Sequence, residues 1–177
     1  MLVDSFLKFG VSKCCLLLLL LIPYAVFAQQ DSGGDKRNAI YFEIGGAGGS
    51  HSMNYERVFR LMPGLDAAAR GGFGFDNLVD FNDKFNPNIV FPVMAIVTYG
   101  KNHKIEAGVG QTYSSTIETD VSTGEPARMN NFNTTFNIGY RYQNPEKRIL
   151  VRAGYTPYIE YNERFVHWAG VSIGFIF

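Results

Sequence analysis

The sequence predicts an all-β protein, a single up-and-down antiparallel transmembrane β-barrel of about eight strands. Three observations carry that prediction. Runs with period-two alternation of apolar and polar residues follow one another from residue 40 to the C-terminus. Tight turns alternate with longer loops between them. Lysine is absent from the strand centres, where a water-facing sheet surface would carry it freely. The 177 residues suffice for one domain, and 15 Phe and 10 Tyr beside a single Trp favour strands over helices.

The first 28 residues read as a cleaved secretory signal. Lys8 and Lys13 precede an apolar run from Cys14 to Ile22, Pro23 ends it, and Val26-Phe27-Ala28 supplies a small-residue cleavage site. The run falls short of the roughly 20 apolar residues that a spanning helix needs. Cys14 and Cys15 stand at the front of the run, where a lipid-attachment cysteine would stand at its end, and both leave with the leader. The mature chain is then expected to hold no disulfide and no thiol nucleophile. Formal charge is zero over the whole sequence and about minus one without Asp4, Lys8 and Lys13. No basic patch marks a nucleic-acid partner. Residues 29–38 are polar and Gly-containing, a flexible entry to a barrel expected over 39–177.

The strands are expected at 40–47, 52–59, 65–75, 89–99, 104–113, 131–142, 149–158 and 165–177. Most have about the 9 to 11 residues of a tilted membrane strand; the first two are shorter. Segments 60–64, 100–103 and 143–148 read as tight turns, and 76–88, 114–130 and 157–164 as longer loops, with Gly48-Gly49-Ser50 the one short connection on the long-loop side. An even strand count puts both termini at the tight-turn end.

Alternation alone does not say which face of a barrel is outside, because a soluble lipocalin-like barrel also has one apolar and one polar face. The distribution of residues decides. On the last strand Phe165, Ala169, Val171, Ile173, Phe175 and Phe177 oppose Gly170, Ser172 and Gly174. Phe132, Phe136, Ile138, Tyr140 and Tyr142 oppose Asn133, Thr135, Asn137, Gly139 and Arg141, and Ile149, Val151, Ala153 and Tyr155 oppose Arg152, Gly154 and Thr156. A cation at the lipid midplane costs roughly 2 to 4 kcal/mol, so mid-strand charges belong on the inner face. Parity puts Glu43, Glu56, Asp66, Arg70, Glu106, Arg141 and Arg152 there. Arg57 shares the apolar parity of Tyr55 and Phe59, close enough to a strand end to snorkel. The fourth strand leaves both faces apolar, with Val90, Met94 and Ile96 against Phe91, Val93, Ala95 and Val97, and its register stays open. Aromatics gather at strand ends, as in the girdles of membrane barrels.

An eight-stranded lumen is barely wide enough for its own side chains, and buried charges must be paired. The seven inward charges are therefore expected to form an ion-pair network that plugs the barrel, with a solute or proton path as the alternative.

The segments Ser52-Met53-Asn54-Tyr55-Glu56-Arg57-Val58-Phe59 and Tyr99 to Gly110, with the closing strand, resemble small eight-stranded outer-membrane barrels of the OmpA/OmpX type, particularly the loosely related ones of Bacteroidota-type bacteria. The resemblance covers roughly residues 38–177. Val171, Ile173, Phe175 and Phe177 look like the C-terminal signal by which barrel-assembly machinery recognises its clients. The resemblance implies a place in the bacterial outer membrane and contact with its lipids and lipopolysaccharide, and it implies no particular activity.

The candidate chemistry is thin. Ser50, His51 and Ser52, with Glu56 further along, invite comparison with lipid A deacylases, but adjacent His51 and Ser52 point to opposite faces. Asp76, Asp80 and Asp83 share a loop without a calcium-loop spacing. His103 and His167 stand alone in sequence, so no transition-metal site and no cofactor are expected. A non-enzymatic barrel with a structural, adhesion or accessory role follows, its 76–88 and 114–130 loops free to meet a protein or surface ligand. A barrel-embedded lipid A-modifying hydrolase and a narrow channel remain the alternatives.

Overall fold

The computed structural model describes residues 36–79, 82, 84–119, 124–160 and 164–177. The expected leader and most of the 29–38 entry segment lie outside them, as do Asp80, Asp83 and the side chain of Asp76. Six long strands, β1 (Asn38–Gly45), β2 (His51–Met62), β3 (Leu65–Asp76), β4 (Asn88–Gly100), β5 (His103–Thr119) and β6 (Pro126–Asn144), run antiparallel to their neighbours in chain order. Next come β7 (Ile149–Tyr155) and the short strands β8 (Tyr158–Ile159) and β9 (Phe165–Val166), before β10 (Ala169–Ile176) ends the series.

The sheet closes because β10 pairs with β1, with Phe42 opposite Ile173. Reciprocal bonds of 2.9 Å between the backbones of Asn38 and Phe177 finish that seam. The result is an all-β, closed, up-and-down antiparallel barrel of eight strands, as the alternation predicts. Strands β8 and β9 are no ninth and tenth staves. They continue β7 and β10 in unbroken register, since Ala169 faces Tyr155 and Val166 faces Tyr158. Pro157 has no N–H to give the ladder, which is why the seventh stave is interrupted there; the Pro157 carbonyl still accepts from the Phe136 N–H at 2.9 Å.

Two expectations are revised. Segment 114–130 is mostly strand: β5 and β6 pair from His103 opposite Tyr142 to Thr119 opposite Pro126, rising past their neighbours as a two-stranded tower. The first connection is also no free loop. Gly46–Gly48 forms a 3-10 turn that folds into the barrel mouth, with Gly46, Ala47 and Gly48 all buried. Gly45 and Gly46 have φ of 72° and 75°, open to glycine and strained for other residues, and a Cβ on Gly46 would run into the Glu43 carboxylate.

The faces divide by parity. Ile40, Phe42 and Ile44 of β1 are exposed, whereas Ala39, Tyr41 and Glu43 are buried. The fourth strand resolves the same way, with Pro92, Met94, Ile96 and Thr98 inward and Phe91, Val93, Val97 and Tyr99 outward. Its ladder with β3 lapses between Gly71–Val93 and Gly74–Val90, where inward Pro92 offers no donor. Met94 and Ile96 pack with Ala47, Val58 and Ala68, so one wall of the lumen is apolar. A second buried cluster, Ala39, Tyr41, Leu150 and Ile176, seals the end near the termini. Arg57 is outward, and its Nη1 donates to Asn38 Oδ1 at 2.8 Å.

Candidate functional site: the charged lumen and the mouth above it

Each inward charge stands on a different strand position fixed by alternation, and closure of the sheet brings them together. Toward the barrel mouth, the Arg70 guanidinium pairs with Glu43 and donates from Nε to Asn54 Oδ1 at 3.0 Å. Ser172 Oγ donates to the other Glu43 oxygen at 3.2 Å. In the centre, Arg141 donates to both oxygens of Glu56, at 2.6 and 2.8 Å, and from Nε to Glu106 at 2.9 Å. Arg152 donates to Glu106 from Nε and Nη2 at 3.0 and 2.6 Å, and from Nη1 to the Tyr41 hydroxyl at 2.6 Å. Near the terminal end Asp66 pairs with Lys104.

The arrangement answers a specific electrostatic problem. Arg141 and Arg152 sit directly opposite each other on β6 and β7, a like-charge pair that would repel. Glu106 lies between them and accepts from both, while Asn137 Nδ2 donates to the same carboxylate at 2.8 Å. Four carboxylates face four cations, all buried, so the charges balance and each has a partner, the condition under which buried ions are tolerated. Bidentate guanidinium–carboxylate geometry adds direction to the attraction. Tyr41 is the common neighbour: Arg70 and Arg152 lie over its ring, 5.4 and 5.0 Å from the centroid.

Sequence reasoning left out Lys104, read only as a strand-end residue, and the neutral members Tyr41, Asn54 and Asn137. Their parity was the available signal, since Tyr41 shares it with Glu43 and Lys104 with Glu106. The deacylase comparison finds no assembled triad. Ser52 is buried inward and accepts from Asn54 Nδ2 at 2.9 Å, whereas the His51 ring lies on the outward face, 5.2 Å from that of Phe75. Glu56 is held by Arg141. No group of three or more His, Cys, Asp or Glu among the described residues is placed to hold a metal. The histidines are less isolated than expected: His103 bonds Tyr140 and its ring lies tilted 5.0 Å from that of Tyr142, and His167 bonds Tyr155. Both belong to aromatic clusters on the outward face.

Those clusters form two belts. Phe73, Phe91, Tyr113 and Phe132 make successive ring contacts of 5.1 to 6.3 Å around the mouth half of β3 to β6. Tyr99 and Tyr140, with Phe175 and Phe177, lie nearer the terminal end. Exposed Val93, Val109, Ile138 and Ile173 occupy the band between. Val171, Ile173, Phe175 and Phe177 all face outward as a row.

Above the network, the inward 3-10 turn makes a floor, where Thr112 Oγ1 donates to the Ala47 carbonyl at 3.1 Å. Over that floor opens a cavity of about 620 Å³, whose walls include Thr112, Ser114 and Thr116 of β5 and Asn131, Asn133 and Thr135 of β6. The tower wall is braced from outside. Arg128 donates to the Pro87 carbonyl at 3.2 Å and to Ser115 Oγ at 3.0 Å, and Asn88 Oδ1 accepts from the Ile117 N–H at 2.8 Å.

No family model matches the chain, and no curated protein matches it. Among solved structures it is similar to the N-terminal β-barrel domain of Pseudomonas aeruginosa OprF, with 14% identity and a TM-score of 0.54 over 80% of this chain and 96% of that one. It is also similar to Ail, the attachment invasion locus protein of Yersinia pestis, crystallised with the heparin analogue sucrose octasulfate, with 10% identity and a TM-score of 0.53 over 80% of this chain and 97% of that one. At these identities the likeness is one of fold. The chain has the architecture of the small outer-membrane barrels of the OmpA/OmpX type.

Proposed function

We propose that this protein is a non-enzymatic integral barrel of a bacterial outer membrane, its lumen plugged by ion pairs and its functional surface at the loop-bearing mouth. The division of faces carries the reading. The outward face offers an apolar band between aromatic belts, which is suited to a bilayer. Inside, every carboxylate and cation of the lumen is spent on another, which leaves no charge to escort an ion. Lipids and lipopolysaccharide are its surroundings, and the outward row ending at Phe177 serves barrel-assembly machinery during insertion. Ail and the OprF barrel share the architecture, and Ail was crystallised with the heparin analogue sucrose octasulfate, a precedent for a small barrel that takes a ligand.

The reading is tested by membrane fractionation, gel mobility with and without boiling, and planar-bilayer recording of the same purified protein. Detergent-extracted protein from the outer membrane, running faster unheated and giving no steady conductance, is the expected result. Recovery from the soluble periplasmic fraction without a mobility shift overturns the membrane assignment, and a steady single-channel conductance overturns the plug.

A further inference from the structure

We infer that the cavity in the barrel mouth is a binding site for an uncharged saccharide of one to three rings. The inference rests on the proposed function only in needing the mouth to be open to the outside. Its size, about 620 Å³, lies within the roughly 300 to 1,000 Å³ of small-molecule sites. Its floor is built rather than accidental, since the 3-10 turn that forms it requires glycine at strained positions and is tied to the wall through Thr112.

The wall chemistry selects the ligand class. Alternation on β5 and β6 sends three hydroxyl or amide side chains inward from each strand above the ion pairs, and these can both donate and accept. Asn133 lines the cavity, and its Oδ1 is buried with no hydrogen-bond partner among the described residues, so the acceptor is unmet. Trp168 and Tyr158 also line the cavity and offer flat faces to the C–H side of a pyranose ring, with a polar edge each. Glu118 and Glu160 are the charged side chains among the lining residues. No lysine or arginine is among the described lining residues, so an anionic ligand meets like charge there and no counter-charge. A wholly apolar ligand would strand the hydroxyls and amides.

Trp168 is the single tryptophan of the chain beside 10 Tyr, so emission excited selectively at tryptophan reports on this cavity. The experiment titrates the folded barrel in detergent micelles with maltotriose, triacetylchitotriose and a sulfated maltotriose, up to about 10 mM, beyond the millimolar edge of specific affinity. A saturable change in emission with at least one neutral trisaccharide is expected, with affinity about tenfold weaker in Asn133→Leu and in Thr116→Val. Each variant is first shown to keep its heat-dependent gel shift, so that loss of binding is not loss of fold. No saturable response to either neutral sugar from a heat-modifiable barrel overturns the inference while leaving the membrane reading intact. A response to the sulfated sugar alone, or equal binding by wild type and both variants, overturns it too.

Discussion

Arg141 on β6 reaches across the lumen to Glu56 on β2 and donates to both of its carboxylate oxygens, at 2.6 and 2.8 Å, with both residues fully buried. Neither strand neighbours the other in the sheet. The pair therefore ties opposite walls of the barrel.

Cutting the brace at one end leaves a buried cation short of charge. Glu56→Ala is expected to destabilise the barrel by about 3 to 5 kcal/mol, the usual cost of removing one partner of a buried ion pair. The double variant Glu56→Leu/Arg141→Met replaces both ends with apolar groups and should recover most of that loss. Urea midpoints of the barrel refolded in lipid, read from the unheated gel band, check both. Equal loss in single and double variants would show that the side chains matter by shape alone.

Depth dependence separates a lipid-facing surface from a soluble one. Val109 faces outward midway between the aromatic belts, paired with Ala95 and Phe136, whereas Tyr99 stands at the terminal-end belt. Val109→Arg should cost roughly 2 to 4 kcal/mol in a bilayer and Tyr99→Arg at most about 1 kcal/mol. The check is the same urea titration in lipid vesicles; equal costs at both depths would remove the bilayer from the argument.

The inward turn depends on glycine at positive φ. Gly46→Val places a branched Cβ against the Glu43 carboxylate in a backbone region closed to it, a strain of about 1 to 3 kcal/mol. The turn is expected to leave the mouth, lowering the urea midpoint and exposing Ala47 and Gly48. Faster amide hydrogen exchange at residues 46–48, with the remaining strands still protected, is the signature to look for.

Arg128 holds segment 86–88 to the tower through the Pro87 carbonyl and Ser115. Hydrogen bonds to a charged donor contribute about 1.5 to 3 kcal/mol, so Arg128→Ala should speed hydrogen exchange in 84–88 and 115–118 by on the order of 10-fold or more, with the lower barrel unchanged. Uniform exchange between variant and wild type would mean that backbone pairing alone sets this wall.

How far the sequence reaches is visible in single residues. Period-two alternation assigns Glu43, Arg70, Glu106 and Arg152 to one face without any three-dimensional information, because a strand turns each successive side chain to the opposite side. The fourth strand resisted that reading, since Met94 and Ile96 are as apolar as Val93 and Val97; only the packing of Met94 and Ile96 against Val58 and Ala68 fixes the inward set. Lys104 looked like an exposed strand-end residue until closure of the barrel buried it beside Asp66. Segment 114–130 looked like a loop because Ser, Thr and Asn favour loops, yet continuous pairing between β5 and β6 turns it into strand.

The sequence by itself determined the period, the strand count and the placement of tight turns, all of which are local consequences of backbone geometry. Tertiary structure decided who meets whom. Glu56 finds Arg141 across the lumen, Glu106 is set between two opposed guanidiniums, and the glycine turn becomes the floor of a cavity. These pairings depend on the stagger with which the sheet closes on itself, a sum over every strand register, and no stretch of local sequence contains that sum.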